Sequence, residues 1–174
     1  HMERMGFGKE VDWVERKVMV PTPDHQADMQ KYFHVAELCM KRYNLHMRHF
    51  KSHKEVLAAD NGQYVQKIFN VINRSYAELY GYSEMNEHQI KQYAKTYLPF
   101  LDMRLLAVVE TEENEPIAVG ITMGSLSYAL QKAHGKLFPF GWWHLAKAIY
   151  LKPAPVLDML LIGVVPEWQN KGVS

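Results

Sequence analysis

The sequence predicts an α/β (α+β) fold, a sheet flanked by helices, of a length that allows one domain with a sizeable core, or one and a fraction. Three observations carry this. Residues 156–165 (VLDMLLIGVV) hold eight aliphatic or Met side chains in ten and end at Pro166, the pattern of a central strand covered on both faces. Residues 104–110 and 116–123 are two apolar runs around the polar turn 111–115, which reads as a hairpin. Between residues 24 and 98, apolar side chains recur at helical spacing in several stretches.

Composition narrows the function classes. The 174 residues carry 20 basic and 19 acidic side chains, a formal net charge of +1. That balance gives no electrostatic argument for nucleic acid or an anionic membrane. With 48% hydrophobic and 22% charged residues the chain is ordinary for a globular protein, and no run of about 18 apolar residues is present to span a bilayer. Cys39 is the single cysteine, so no intrachain disulfide can form, which suits a reducing, cytoplasmic compartment.

Taken in order, residues 11–20 (VDWVERKVMV) are rich in β-branched side chains and read as a strand ended by Pro21 and Pro23. Asp24 can cap a helix reaching Tyr43, with Tyr32, Val35, Ala36, Cys39 and Tyr43 as its buried face. Cys39 on that stripe reads as a core residue rather than a nucleophile. Residues 45–50 are a candidate strand. Its His46 and His49, with His53 beyond, prompt a metal hypothesis, but 46 and 49 differ by an odd number and face opposite sides of a strand, so no metal site is expected.

Ser52 caps a short helix to about Ala59, and Asp60, Asn61 and Gly62 break the chain. A longer helix then runs to about Tyr80, with Val65, Ile68, Phe69, Ile72, Tyr76 and Leu79 as its stripe and Gly81 as its stop. Ser83 or Asn86 opens the next helix, whose stripe of Ile90, Tyr93, Ala94, Tyr97 and Leu98 ends before Pro99. The tyrosines of these helices read as amphipathic core filling, with an acceptor pocket as the alternative. After the hairpin, residues 125–134 and 142–151 read as two helices around an aromatic loop. The second, with Trp142 and Trp143, is expected to pack over the sheet and wall an acceptor cleft; a surface that meets lipid or a partner is the alternative.

Val164-Val165-Pro166-Glu167-Trp168-Gln169-Asn170-Lys171-Gly172-Val173-Ser174, following an apolar strand, resembles the acetyl-CoA signature of the GNAT superfamily of N-acetyltransferases. That signature is a hydrophobic residue, any residue, Pro, two residues, then Gln or Arg-x-x-Gly-x-Gly or Ala. Ser174 departs from the usual Gly or Ala, though it is also small. The resemblance implies a GNAT-like mixed sheet, here truncated after the signature strand, with residues 125–151 as a helical insertion. The run Met5-Gly6-Phe7 before a strand is similar to the close of such a unit. Residues 3–21 are therefore expected to be the closing strand of a preceding unit or an N-terminal edge strand, and residues 24–174 the front of a second unit.

The implied activity is transfer of an acetyl or acyl group from acetyl-CoA, or another acyl-CoA, to an unknown amine acceptor. Gln169, Asn170, Lys171, Gly172, Val173 and Ser174 would present main-chain N–H groups to the diphosphate, as an anion nest does. Ile162, Gly163 and Val164 would pair with the pantetheine arm, and a main-chain N–H there would polarise the thioester carbonyl. Gly163, with no side chain, would let the arm come close. Neither Asp158 nor Glu167 is identifiable as the general base. The open edge of the signature strand is expected to be paired by residues 11–20 or by another copy of the chain, making a homo-oligomer. The competing readings are a GNAT-derived binding or structural module without catalysis, and an unrelated α/β domain.

Overall fold

The computed structural model describes residues 2–19, 26–151 and 155–173. In chain order the elements are α1 (Gln26–Arg42), β1 (His46–Arg48), α2 (His53–Ala58), α3 (Tyr64–Tyr76), α4 (Glu87–Tyr97), β2 (Leu106–Glu110), β3 (Pro116–Gly124), α5 (Ser127–Lys132), α6 (Gly141–Tyr150) and β4 (Leu157–Val164). Among the described residues six α-helices and a four-stranded sheet make this an α+β fold, as the sequence predicts. The strand order is β1-β2-β3-β4 and all three pairings are antiparallel, so the parallel partner of a mixed sheet is not among the described residues. The chain divides into two units, His1–His34 and Val35–Ser174.

Most elements follow their sequence signals. Ser52 caps α2 by accepting from the Glu55 N–H at 3.3 Å. Asp60 and Asn61 then take positive φ values of 50° and 53°, the left-handed turn that Asn, Asp and Gly tolerate. Asn86 opens α4 with a capping box: Gln89 N–H donates to its side chain, and the Gln89 side chain accepts from the Asn86 N–H at 2.9 Å. The hairpin forms with Val108 opposite Val119.

The core lies between α3 and one face of the sheet. Tyr64, Ile68, Val71 and Ile72 of α3 meet Leu106, Val108, Ile117, Val119 and Ile121, all buried. Alternation sends Ala107, Val109, Ala118 and Gly120 to the opposite face.

Several expectations fail. Residues 11–19 form no strand, and Val14 and Val18 are 73% and 81% exposed. A strand needs a paired neighbour, and the charged residues between these valines leave no face that gains by burial. Val20, Pro21, Pro23 and Asp24 lie outside the described residues. On α1 the predicted stripe is mostly exposed, Tyr32 and Val35 included; Cys39 is buried and Tyr43 half-buried at the end that reaches the sheet. Helix α3 stops at Tyr76 and leaves Leu79 exposed. The apolar run 156–165 is not a central strand. β4 ends the sheet, and only its last residues are covered. Of the two partners expected on its outer side, residues 11–20 or another copy of the chain, the first is not seen: no fifth strand exists among the described residues.

Candidate functional site

β4 brings the signature residues to one end of the sheet. It pairs Ala118 with Val164, Val119 with Gly163, and Gly120 with Ile162. Gly163 therefore lies on the core face with Val119, where α3 crosses closely. A Cβ at Gly163 would sit 2.8 Å from Ser75 Oγ and 3.0 Å from Ser75 Cβ. The space that this glycine leaves is taken by Ser75, not left open for a coenzyme arm. Ile162 and Val164 lie on the other face, and their main-chain groups point to the outer edge. The Tyr76 hydroxyl donates to the Ile162 carbonyl at 2.9 Å and accepts from its N–H at 3.1 Å. The Gln169 side-chain amide donates to the Val164 carbonyl at 2.9 Å. By the same alternation the Val164 N–H faces this edge. The next residue turns back inward, Val165 donating to the Ile117 carbonyl at 2.9 Å.

Beyond β4 the chain makes a short turn at Pro166–Trp168 and folds onto the end of α1. Asn170 and Gly172 adopt φ values of 61° and 80°, which reverse the main chain twice in three residues. The Cys39 thiol donates to the Lys171 carbonyl at 3.3 Å, fixing the loop to α1. The Lys171 ammonium stands 4.4 Å over the Trp168 ring, and Trp168 meets Tyr43 edge-on at 5.5 Å. Its charge is thus committed to aromatic faces. The exposed Glu167 pairs with Arg74 at 2.5 Å.

A cavity of about 270 Å³ opens between α1 and the face of the sheet away from α3. Ala107, Ala118 and Gly120 form its floor, with Met47 on one side and Ile162 and Val164 on the other. Of the predicted cofactor-binding residues, Ile162, Gly163, Val164, Gly172 and Val173 line it together. Gln169, Asn170 and Lys171 belong to the adjoining loop, and Ser174 lies outside the described residues. Among the lining side chains Cys39 alone is ionisable. Asp158, opposite Met123 on the α3 face, is exposed near the far end of β4. Among the described residues no carboxylate or imidazole lines the cavity to act as a base.

The three histidines do not converge. His53 bonds the Leu101 carbonyl at 2.8 Å, His49 is exposed, and His46 bonds Glu110 at 2.9 Å. No group of three metal-ligating side chains gathers among the described residues.

Glu110 itself went unnoticed in the sequence. Its side chain is fully buried, with Tyr64 donating to one carboxyl oxygen at 2.5 Å and His46 on the other. Burial, then the bond to Glu110, push the Tyr64 hydroxyl far above its ordinary pKa, so it stays a donor. Leu106, Val108 and Glu110 share one face of β2, and that parity was the available signal. This trio sits on the α3 face, across the sheet from the cavity, and it ties β1, β2 and α3 together.

A second cavity, of about 510 Å³, lies at the other end of the sheet, where β3 leaves for α5 and β4 begins. The last turn of α6, from Ala148 to Tyr150, lines one side of it, and Gly124, Leu105 and Leu157 line the sheet side. Asp102 and Arg104 stand at its rim, paired by hydrogen bonds that hold the Asp102 carboxyl below the usual range. Trp142 and Trp143 are half-exposed, 50% and 51%, at the opposite end of α6. Among the described residues no helix is long and apolar enough to cross a membrane.

No family model matches the sequence. A curated protein named bacterial ceramide synthase, from Caulobacter vibrioides, is 27% identical over 108 residues. The match covers 62% of this chain and 28% of that protein, so the chain aligns with less than a third of the relative's length.

Proposed function

We propose that this chain belongs to a GNAT-like, coenzyme A-dependent N-acyltransferase that works in the cytoplasm and joins an acyl group to the amine of a lipid-like acceptor. One observation carries the reading: the outward-facing main chain of Ile162 and Val164, the turn after β4 and the apolar cavity meet at one end of the sheet. The name of the Caulobacter relative supports it. A ceramide is the amide of a fatty acid with a long-chain amino alcohol, so its synthesis is N-acylation. In the reaction the amine nitrogen bonds to the thioester carbonyl carbon, the C–S bond breaks, the nitrogen loses a proton and the thiolate gains one. The Val164 N–H is the donor for the oxyanion, a contact of a kind that supplies about 2.7–4 kcal/mol. The apolar cavity excludes water from the thioester.

The test is titration of coenzyme A into the full-length protein, followed by an assay of amide formation from acetyl-CoA and palmitoyl-CoA with a long-chain amino alcohol. Binding with turnover is expected. Absence of coenzyme binding would sink the reading. Binding without turnover would favour the second reading, a non-catalytic module of GNAT ancestry. That reading draws on one observation, the hold of Tyr76 on the Ile162 groups to which a pantetheine arm would pair.

A further inference from the structure

Charge is unevenly spread along the chain. All 19 acidic side chains lie outside residues 116–157, a stretch that carries four lysines and holds α5, α6 and the loop between them. The near balance over the whole chain hides this local excess. The same stretch exposes aromatic side chains on all three of its parts: Tyr128 on α5, Phe138 and Phe140 on the loop, and Trp142, Trp143 and Tyr150 on α6. The loop is fixed by its own hydrogen bonds. The Trp142 N–H donates to the Leu137 carbonyl at 2.9 Å, the Trp143 N–H to the Phe140 carbonyl at 3.1 Å, and the Trp142 indole N–H to the Pro139 carbonyl at 3.0 Å. A Cβ at Gly141 would collide with the Lys136 carbonyl oxygen and lie 3.2 Å from Ala133 Cβ, so the end of α5 and the start of α6 touch. Phe138 and Phe140, 83% and 74% exposed, thus stand on a closed loop. Along α6, Trp143, Lys147 and Tyr150 recur at i, i+4 and i+7 and form one exposed stripe. On α5 the Lys132 ammonium stands 4.7 Å from the centre of the Tyr128 ring.

We infer that α5, α6 and their loop seat the protein on the surface of an anionic lipid bilayer, with Phe138 and Phe140 among the acyl chains and the Trp143–Lys147–Tyr150 stripe at headgroup level. Two phenylalanines held in water gain binding by entering an apolar medium. Trp and Tyr rings, apolar with one polar atom, suit the headgroup boundary, and Lys lays its apolar stem there while its ammonium reaches a phosphate. Aromatic side chains would also fit a protein partner, but lysine is depleted from protein interfaces, whereas an anionic headgroup attracts it. The absence of any Asp or Glu from residues 116–157 removes the repulsion that such a surface would otherwise meet. Helix α6, 10 residues long, spans about 15 Å, half the thickness of a hydrocarbon core, so it lies along the interface and does not cross it. The inference stands apart from the acyltransferase reading.

The experiment measures partition of the full-length protein onto vesicles by flotation. Vesicles of phosphatidylglycerol and phosphatidylcholine in equal parts should bind it, and vesicles of phosphatidylcholine alone should bind it far more weakly. Added salt should narrow that difference. The double substitution Phe138→Ser, Phe140→Ser should lower partition onto the anionic vesicles by at least tenfold. Changing Lys132, Lys136 and Lys147 to Gln should lower it by about fivefold for each charge removed. All five positions are exposed, so the variants keep the fold, which circular dichroism checks. Lipid brominated near the headgroup should quench the tryptophan emission of the bound protein, and Trp142→Phe with Trp143→Phe should remove that quenching. Failure of the wild type to float with anionic vesicles overturns the inference, as does binding that the double phenylalanine variant leaves unchanged. An oligomer that ignores vesicles and dissociates in that variant also overturns it, and makes the patch an interface between copies. Vesicle binding by a protein that transfers no acyl group upholds the inference and removes only the acyltransferase reading.

Discussion

Tyr76 holds both main-chain polar groups of Ile162, donating to the carbonyl at 2.9 Å and accepting from the N–H at 3.1 Å. A single hydroxyl thereby does for one residue of an edge strand what a neighbouring strand does in a sheet interior. The ring is fixed from behind. Tyr82 meets it edge-on at 5.5 Å, and the Tyr82 hydroxyl donates to Asn73 at 2.6 Å, which in turn bonds both main-chain groups of Met85. Burial raises the Tyr82 pKa and keeps it a donor.

Tyr76→Phe should keep the ring in place and release Ile162. One hydrogen bond of about 1 kcal/mol corresponds to roughly fivefold, so the Ile162 amide should exchange with solvent about that much faster. The Gly163 amide, which alternation turns toward β3, is the internal control. If the proposed coenzyme A-dependent reading holds, coenzyme A should bind about fivefold tighter in the same variant, because a strand-like ligand no longer competes with the hydroxyl. Hydrogen exchange by NMR and calorimetric titration read the two effects separately. Unaltered exchange at Ile162 would show that the contact does not form in solution.

Tyr64→Phe should destabilise the protein by about 1–3 kcal/mol at neutral pH. The substitution takes a donor from a fully buried carboxyl group and supplies nothing in its place. The ring contact with Phe50, 5.1 Å between centroids, and the Arg48 guanidinium above both rings remain available to phenylalanine. The loss therefore reports the hydrogen bond more than packing. Urea denaturation of the two proteins measures it, and a loss below 0.5 kcal/mol would refute it.

The same tyrosine sets an alkaline limit. Its folded-state pKa is raised by burial and by Glu110, so above about pH 10 the unfolded chain gives up a proton that the folded chain keeps. The contribution is whole below that pH and is lost as pH rises toward the folded value, at up to about 1.4 kcal/mol per pH unit. Wild type should lose stability between pH 10 and 11.5 more steeply than Tyr64→Phe. Parallel curves in urea melts would mean that Tyr64 is not held protonated.

Much of this was legible in the sequence because local signals agreed with the tertiary outcome. Ser52, Asn86 and the Asp60-Asn61-Gly62 break are helix-end chemistry that acts within a few residues. The hairpin is likewise set by its own turn. What failed depended on partners at a distance. Residues 11–19 have strand-forming side chains, but propensity does not supply a neighbour to pair with. The 156–165 run is apolar enough for a central strand, and its exposure follows from its place at the end of the sheet, which composition does not encode. The meeting of Ile162, Val164, Gly172 and Val173 was legible through the signature spacing. Tyr76, Cys39 and Ser75 reach the same place from other helices, and single-sequence periodicity marked them as ordinary stripe residues or passed over them.

Gly163→Ala separates two explanations for the same glycine. If Gly163 served only a ligand's approach, alanine would leave the folded protein's stability unchanged. The geometry says otherwise: a Cβ would lie 2.8 Å from Ser75 Oγ and 3.0 Å from Ser75 Cβ. The hydroxyl is pinned by its own bond to the Val71 carbonyl at 2.6 Å and gives way only by breaking it. Overpacking of this kind typically costs about 1–3 kcal/mol. Ser75→Ala removes the nearer atom and leaves the Cβ contact. The double variant should therefore recover part of the loss, a coupling of about 0.5 kcal/mol or more that a denaturant double-mutant cycle resolves. Additive losses would mean that α3 yields as a rigid body rather than at Ser75, and no loss in Gly163→Ala would leave ligand approach as the reason for the glycine.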